Sequence, residues 1–319
     1  MSKSVKVWLI TAAALVALGA MVFGAAACSA GCNIAWLGTG EYETNTHEIT
    51  EDFSGISVYT DTSKVVFALS EDEKCTVVCY EEKKKRHSVS VENGVLTVKL
   101  VDTRSWFERI SWFGNPKITV YLPKTEYSSL VVDEATGDVE IPSGFNFNSV
   151  DVSVSTGSVR CLSDAKERMK ISTSTGNISL DNISVGSLNI SVTTGRVTTS
   201  NVTCGGDVTI SVSTGRLIAS DITCSDFSTT GSTGEVSLKN VVAAGSLSID
   251  RTTGRVDLDD CDAADVRITT STGSVSGTLL SEKVFIARSN TGDIDVPQSA
   301  TGGRCEITTT TGDIKIRIK

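Results

Sequence analysis

The chain is poor in rings and in imidazoles. Phe, Trp and Tyr together make up 6% of its residues, and there are two histidines and four prolines in 319 positions. So few rings exclude a globular core built on large aromatic side chains. The histidines, His47 and His87, both precede the regular part of the chain, so a Ser-His-Asp order is missing there, and no GxSxG elbow occurs. P-loop and Rossmann fingerprints are missing, as is the Gly-Gly-x-Gly-x-Asp repeat of calcium-binding β-rolls. Positive charge is also scarce: 29 Lys and Arg against 38 Asp and Glu give a net charge of −9. Phosphate backbones need concentrated Lys and Arg, so nucleic acid is excluded as a partner.

What is abundant is Ser, Thr, Gly and Val, a mixture suited to thin, regular β-structure. A Thr-Gly pair recurs at Gly137, Gly157, Gly176, Gly195, Gly215, Gly234, Gly254, Gly273, Gly292 and Gly312, with spacings of 19 or 20 residues throughout. Seven residues before each Gly, and two after it, the side chain is apolar in every repeat, from Leu130 and Val139 to Cys305 and Ile314. Alternation around these positions marks a strand on either side of a tight corner. Such a unit cannot bury its inner face alone, so the repeats must stack. The fold class is all-β: a β-solenoid of about ten 19–20-residue coils, spanning residues 126–319 and roughly 45–50 Å long at one strand spacing per coil. A second corner carries Asn182, Asn201, Asp221, Asn240 and Asp260, residues that tolerate the left-handed conformation, and a third carries Gly186, Gly206, Gly245 and Gly303. The cross-section is therefore triangular or flattened.

The ends differ. Residues 50–125 read as an irregular β-cap with strand-like runs at Thr76–Tyr80, Ser88–Val91, Val95–Val101 and Ile118–Leu122, a hairpin turn at Asn93-Gly94, and a degenerate coil with Ser63 in the corner place. At the C-terminus, Lys315, Arg317 and Lys319 alternate with isoleucines, as expected of a charged guard on an open edge. Residues 28–49 read as a polar tether. Before it, residues 7–27 carry no charge and are long enough to cross a bilayer, with residues 1–6 holding Lys3 and Lys6. The next basic residue is Lys64, so the expectation is one N-terminal transmembrane helix in a single-pass cell-membrane protein, N-terminus in and solenoid outside. A cleaved signal peptide has the same layout, and Cys28 or Cys32 would be the modified residue of a lipoprotein.

Nine cysteines in an exported chain raise the question of disulfides. Cys75 and Cys79 lie four apart on one strand, about 13 Å, too far to bridge. Cys204 and Cys224 occupy equivalent places in successive coils, while Cys161, Cys261 and Cys305 fall at core positions. No zinc-type spacing occurs, so neither a metal nor a cofactor is expected, and no catalytic residue is assigned. The residue after each corner runs through Arg216, Glu235 and Arg255, which stack as an alternating charge ladder. Asp259, Asp260, Asp262 and Asp265 form the densest acidic cluster, the best place for a carbohydrate-active β-helix enzyme to keep its carboxylates. An outward array of hydroxyls (Ser153 and Ser155, Ser172 and Ser174, and their successors) suits solubility or glycan contact. Trp106, Phe107, Trp112 and Phe113 share one loop, placed either to contact a partner or membrane or to cover the open end of the core.

Several segments carry a resemblance. They are Tyr42-Glu-Thr-Asn-Thr, Ile118-Thr-Val-Tyr-Leu-Pro-Lys, the Thr-Gly-Asp/Ser-Val corners and Cys305-Glu-Ile-Thr-Thr-Thr-Thr-Gly-Asp-Ile. By these the chain resembles a family of Firmicute membrane-anchored β-strand-repeat proteins of unknown function, grouped under a "putative adhesin" domain. The resemblance runs from the apolar segment to the end of the chain. It implies a non-enzymatic protein that binds or scaffolds at the cell envelope, adhesin-like or related to envelope stress, with an envelope protein, lipid or glycan as partner. The alternatives are the carbohydrate-active enzyme and a purely structural spacer.

Overall fold

A computed structural model describes residues 3–29, 41–104 and 114–319. The apolar segment is a single helix, Lys3–Ser29. Among the described residues the rest is strand and turn, with the strands hydrogen-bonded into one continuous sheet system that winds as a solenoid.

Inside a coil, β-branched and aliphatic residues point inward at every second position and the corners bring the next strand onto a new face. The predicted apolar rows before and after the Thr-Gly corner are buried in all coils, apart from Phe285 and Ile294. Coil stacks on coil in parallel register. Leu188 sits on Met169 and beneath Val208, and Gly195 lies between Gly176 and Gly215. Glycine is demanded at this corner by two independent constraints. From Gly157 onward the corner residues have φ of 135–155°, a region closed to side chains, and a Cβ on any of them would overlap the carbonyl oxygen of the corner beside it. The second corner is left-handed at Asn182, Asn201, Asp221, Asn240 and Asp260, with φ of 50–55°. Its amides bond along the rod: Asn201 Nδ2 donates to Asp181 at 3.2 Å and Asn240 Nδ2 to Asp221 at 2.8 Å.

The stacking order departs from chain order at both ends. At the C-terminal end, Gly303–Thr311 pairs with Val256–Thr272 on one side and with Lys283–Thr291 on the other. The last coil in sequence is thus the second-to-last in space, and the coil around Gly292 is outermost. The more apolar last coil, with Ile307, Ile314 and Ile316 fully buried, takes the inner place. This corrects the expectation of a charged C-terminal edge. Arg317 pairs with Asp295 at 2.5 Å, Lys315 with Asp313 at 3.3 Å, and Lys319 with Asp260, so these cations close ion pairs instead of guarding an open strand.

The N-terminal end repeats the device. We label its strands β1 (Tyr42–Ile49), β2 (Gly55–Thr60), β3 (Lys64–Leu69), β4 (Cys75–Glu82), β5 (Lys85–Glu92), β6 (Val95–Asp102) and β7 (Lys117–Leu122). β2 and β3 make the coil whose corner is Ser63, packed directly against the Gly137 corner. β6 and β7 stack outside it, in parallel. Antiparallel strands then close the end: β5 on β6, and β1 on β4 on β7. The β5–β6 hairpin turns through Asn93 and Gly94, with φ of 51° and 73°, which matches the right-handed twist of its strands. Residues 42–49, expected within the tether, are β1. Its inner face is mostly polar (Glu43, Asn45, His47), so its periodicity gave no apolar signal. The free edge of β4 supplies the backbone bonds that order it.

Candidate functional site

The sequence-designated features fall into three groups. The corner glycines form one line along the rod and are structural throughout. The acidic cluster lies within a single coil, and its members are paired with cations or hydroxyls. Asp259 meets Lys239 at 3.6 Å, Asp260 meets Lys319, and Asp262 receives Lys283 Nζ at 2.7 Å and Ser281 at 2.8 Å. The charge ladder is broken: Arg216 reaches Glu235 at 2.8 Å, while Arg255 turns to Asp257 at 2.8 Å. Trp106, Phe107, Trp112 and Phe113, like Cys32, lie outside the described residues. The seven cysteines from Cys75 to Cys305 are all free and buried.

A cleft of ≈ 1050 Å³ opens where the cap meets the first coils. It is lined in part by the Ser63, Gly137 and Gly157 corners. The Ser63 coil and the β4–β5 turn bring Thr62, Ser63, Lys85 and His87 to its lining, together with Arg104 and Gly114, the described residues on either side of the aromatic segment. Lys85 pairs with Asp61 at 2.5 Å, and Arg104 with Glu82 at 3.1 Å and Asp102 at 3.0 Å. The walls are therefore charged but balanced.

Behind the wall runs a buried polar chain that sequence reading missed. β4 and β5 share a single paired position, Glu82 with Lys85, before they part onto different neighbours, β4 between β1 and β7 and β5 on β6. The gap between them is filled by side chains. Glu81 accepts from the His87 backbone N–H at 2.7 Å, from Asn45 Nδ2 at 2.8 Å, and contacts His87 Nδ1 at 2.7 Å. His87 Nε2 lies 2.9 Å from Thr60 Oγ1, which is 3.2 Å from Ser63 Oγ. Burial lowers the His87 pKa against the opposing pull of Glu81. Cys79 Sγ belongs to the same cluster: a thiol, a carboxylate and an imidazole whose ligand atoms all lie within 4.8 Å of one another. Burial pushes the Cys79 thiol up to about 12, with the Glu81 charge adding to it. The signal was present in the sequence. Residues 79 and 81 share a strand face, and Lys83-Lys84 make the turn that returns His87 to them.

Glu134 stands close by, 1% exposed. Its Oε1 accepts from the backbone of Ser63 at 3.3 Å and Thr136 at 3.0 Å, while Oε2 has no partner among the described residues. Burial outweighs those bonds and raises its pKa to about 7. The relay from Glu81 to Ser63 has the ingredients of nucleophile activation, yet its hydroxyls are inside the wall: Thr60 is buried and Ser63 is 3% exposed.

The family model for Toastrack DUF4097 matches residues 53–212 and again 205–319. The chain belongs to the Toastrack DUF4097 family. The two matches together cover the cap and the whole rod of this Toastrack chain. Among solved structures, a "putative adhesin" from Parabacteroides distasonis is 10% identical, with a TM-score of 0.49 over 88% of this chain and 98% of that one. A "putative lipid binding protein" from the same species is 16% identical, with a TM-score of 0.45 and the same coverage. A "putative cell adhesion protein" from Clostridium sporogenes is 9% identical, with a TM-score of 0.23 over 88% and 100%. These likenesses carry no functional argument, and they are not confined to Firmicutes. No curated protein matches the chain.

Proposed function

We propose that this Toastrack chain is a membrane-anchored, extracytoplasmic and non-enzymatic protein that binds or scaffolds at the cell envelope. The observation that carries the reading is the helix. Residues Val5–Ala25 have a mean hydropathy of 2.2 and none of their side chains is buried against the rod. In water that surface would be a large uncovered apolar face, whereas a bilayer covers it without protein contacts. Lys3 and Lys6 precede it and no basic residue follows before Lys64, a charge bias that favours the rod outside.

The binding surface follows from what varies between coils. The corners are uniform because stacking requires it, and the hydroxyl rows at Ser155, Ser174, Thr193, Ser213 and Ser232 are exposed but unspecific. At the cleft of the cap the regular corners give way to charged walls. The aromatic residues Trp106, Phe107, Trp112 and Phe113 enter the reading as contacts for an envelope protein, lipid or glycan. Full-length protein in detergent, incubated with isolated cell wall and with anionic lipid vesicles, is expected to be retained on one of them. Trp106→Ala with Trp112→Ala should reduce that retention. Retention on neither would overturn the binding reading and leave the spacer, which predicts that removing two whole coils leaves function intact.

A further inference from the structure

The cluster behind the cleft is built like a metal site. We propose that Cys79, Glu81 and His87 bind one divalent transition metal, zinc by the chemistry of the set, at the base of the split between β4 and β5. Four observations support the assignment.

The first is convergence. The three potential ligand atoms lie within 4.8 Å of one another, and Glu81 and His87 have side chains only 2% exposed. A thiolate, an imidazole and a carboxylate together are the donors zinc takes, and three protein ligands leave a fourth position free. The second is charge. Glu81 buries a carboxylate held by the His87 ring, the His87 backbone N–H and the Asn45 amide, while the neighbouring lysines are engaged elsewhere: Lys83 with Glu41 at 2.6 Å and Lys85 with Asp61 at 2.5 Å. One divalent cation with one thiolate and one carboxylate is neutral, which removes the cost of an uncompensated buried charge.

The third is the outer shell. Metal-bound histidines have their second ring nitrogen fixed by a hydrogen bond, and their carboxylate co-ligands are themselves held. Here Thr60 Oγ1 sits 2.9 Å from Nε2, leaving Nδ1 toward the cluster, and Asn45 holds Glu81 Oε1 at 2.8 Å. The fourth is position. His87 also lines the cleft, so the cluster lies directly behind the cleft wall. Protons balance simply. The Cys79 thiol releases one proton to solvent. The imidazole stays neutral by carrying its proton on Nε2, where it donates to Thr60.

The test is a titration of full-length, chelator-treated protein in detergent with Co²⁺, followed by competition with Zn²⁺. One cobalt per chain should bind, with the thiolate-to-cobalt charge-transfer absorption of a cysteine ligand, and zinc should displace it. Cys79→Ser should abolish that absorption, and Cys204→Ser with Cys224→Ser should leave it intact. Asn45→Ala should weaken zinc roughly 10–100-fold while leaving the three ligands in place. Far-ultraviolet circular dichroism of each variant separates a lost site from a lost fold. If Cys79→Ser does not fold, the wild-type X-ray absorption edge decides, since it must report one sulfur among nitrogen and oxygen neighbours. Absence of stoichiometric binding, or a charge-transfer band that survives Cys79→Ser, would overturn the site and leave the cluster a closed hydrogen-bond network.

Discussion

Gly195→Ala should be among the most damaging single-methyl additions in the rod. Gly195 has φ of 151°, where the backbone cost of a side chain is roughly 1–3 kcal/mol. The new Cβ would also overlap the Gly176 carbonyl oxygen, so the two coils must separate locally. Overpacking of that kind costs roughly 1–3 kcal/mol. The two effects together give about 2–6 kcal/mol, or on the order of 1–2 M in urea midpoint for a chain of this size. Gly205 in the next turn is the matched control. The nearest atom to its Cβ position is 3.9 Å away, and its φ is not left-handed. Gly205→Ala should therefore be neutral or slightly stabilising, within about 1 kcal/mol. Urea unfolding of both variants, followed by far-ultraviolet circular dichroism, reads the contrast. Equal midpoints for the two variants would refute the claim that the glycine line is imposed by coil-to-coil contact.

Glu134, with its pKa raised from 4.5 to about 7, stabilises the fold at low pH and loses that contribution as pH rises from about 4.5 through 7, a change of order 3 kcal/mol. His87, lowered by burial, acts in the opposite sense and costs stability below its ordinary value of 6.5. Glu134→Gln should therefore leave a protein whose urea midpoint falls only toward acid; an unchanged pH profile would contradict this. Arg251, 1% exposed, donates to Val212 O at 2.7 Å and to Thr229 Oγ1 at 3.4 Å, with Nε unpartnered among the described residues. Arg251→Met should be neutral or stabilising by about 1–4 kcal/mol, because a costly buried charge is removed, and a clear loss of midpoint would show that the charge has a counterion. Deleting residues 303–319 removes an inner coil, so amide hydrogen exchange should show that Lys283–Thr291 loses protection as well. Retained protection there would contradict the exchanged stacking order.

The rod was legible because its constraint is local and repeated. Each corner needs Gly, each inner place needs an apolar side chain, and both recur at 19 or 20 residues. The exceptions were informative. Phe285 and Ile294 fit the apolar pattern but are incompletely buried, with Ile294 45% exposed, because their coil is displaced to the outside. Nothing local states which of two coils stacks inward, because both carry the same corner and the choice is made by pairing with the distant Val256–Thr272 coil. β1 was hidden for a related reason. Its order comes from backbone pairing to β4, while its inward residues are polar. The Cys79–Glu81–His87 cluster was only half legible, because same-face spacing on β4 is local but the return of His87 depends on how the two strands part.

Membrane topology tests the proposed function most directly. A single cysteine at exposed Ser213, in a chain carrying Cys28→Ser and Cys32→Ser, can be probed with a membrane-impermeant maleimide on intact cells. The seven cysteines from Cys75 to Cys305 are buried and should stay silent. An anchored protein with its rod outside predicts labelling at position 213 on intact cells and recovery of the labelled chain in the membrane fraction. Labelling only after lysis, or recovery in the soluble cytoplasmic fraction, would contradict an extracytoplasmic anchored protein.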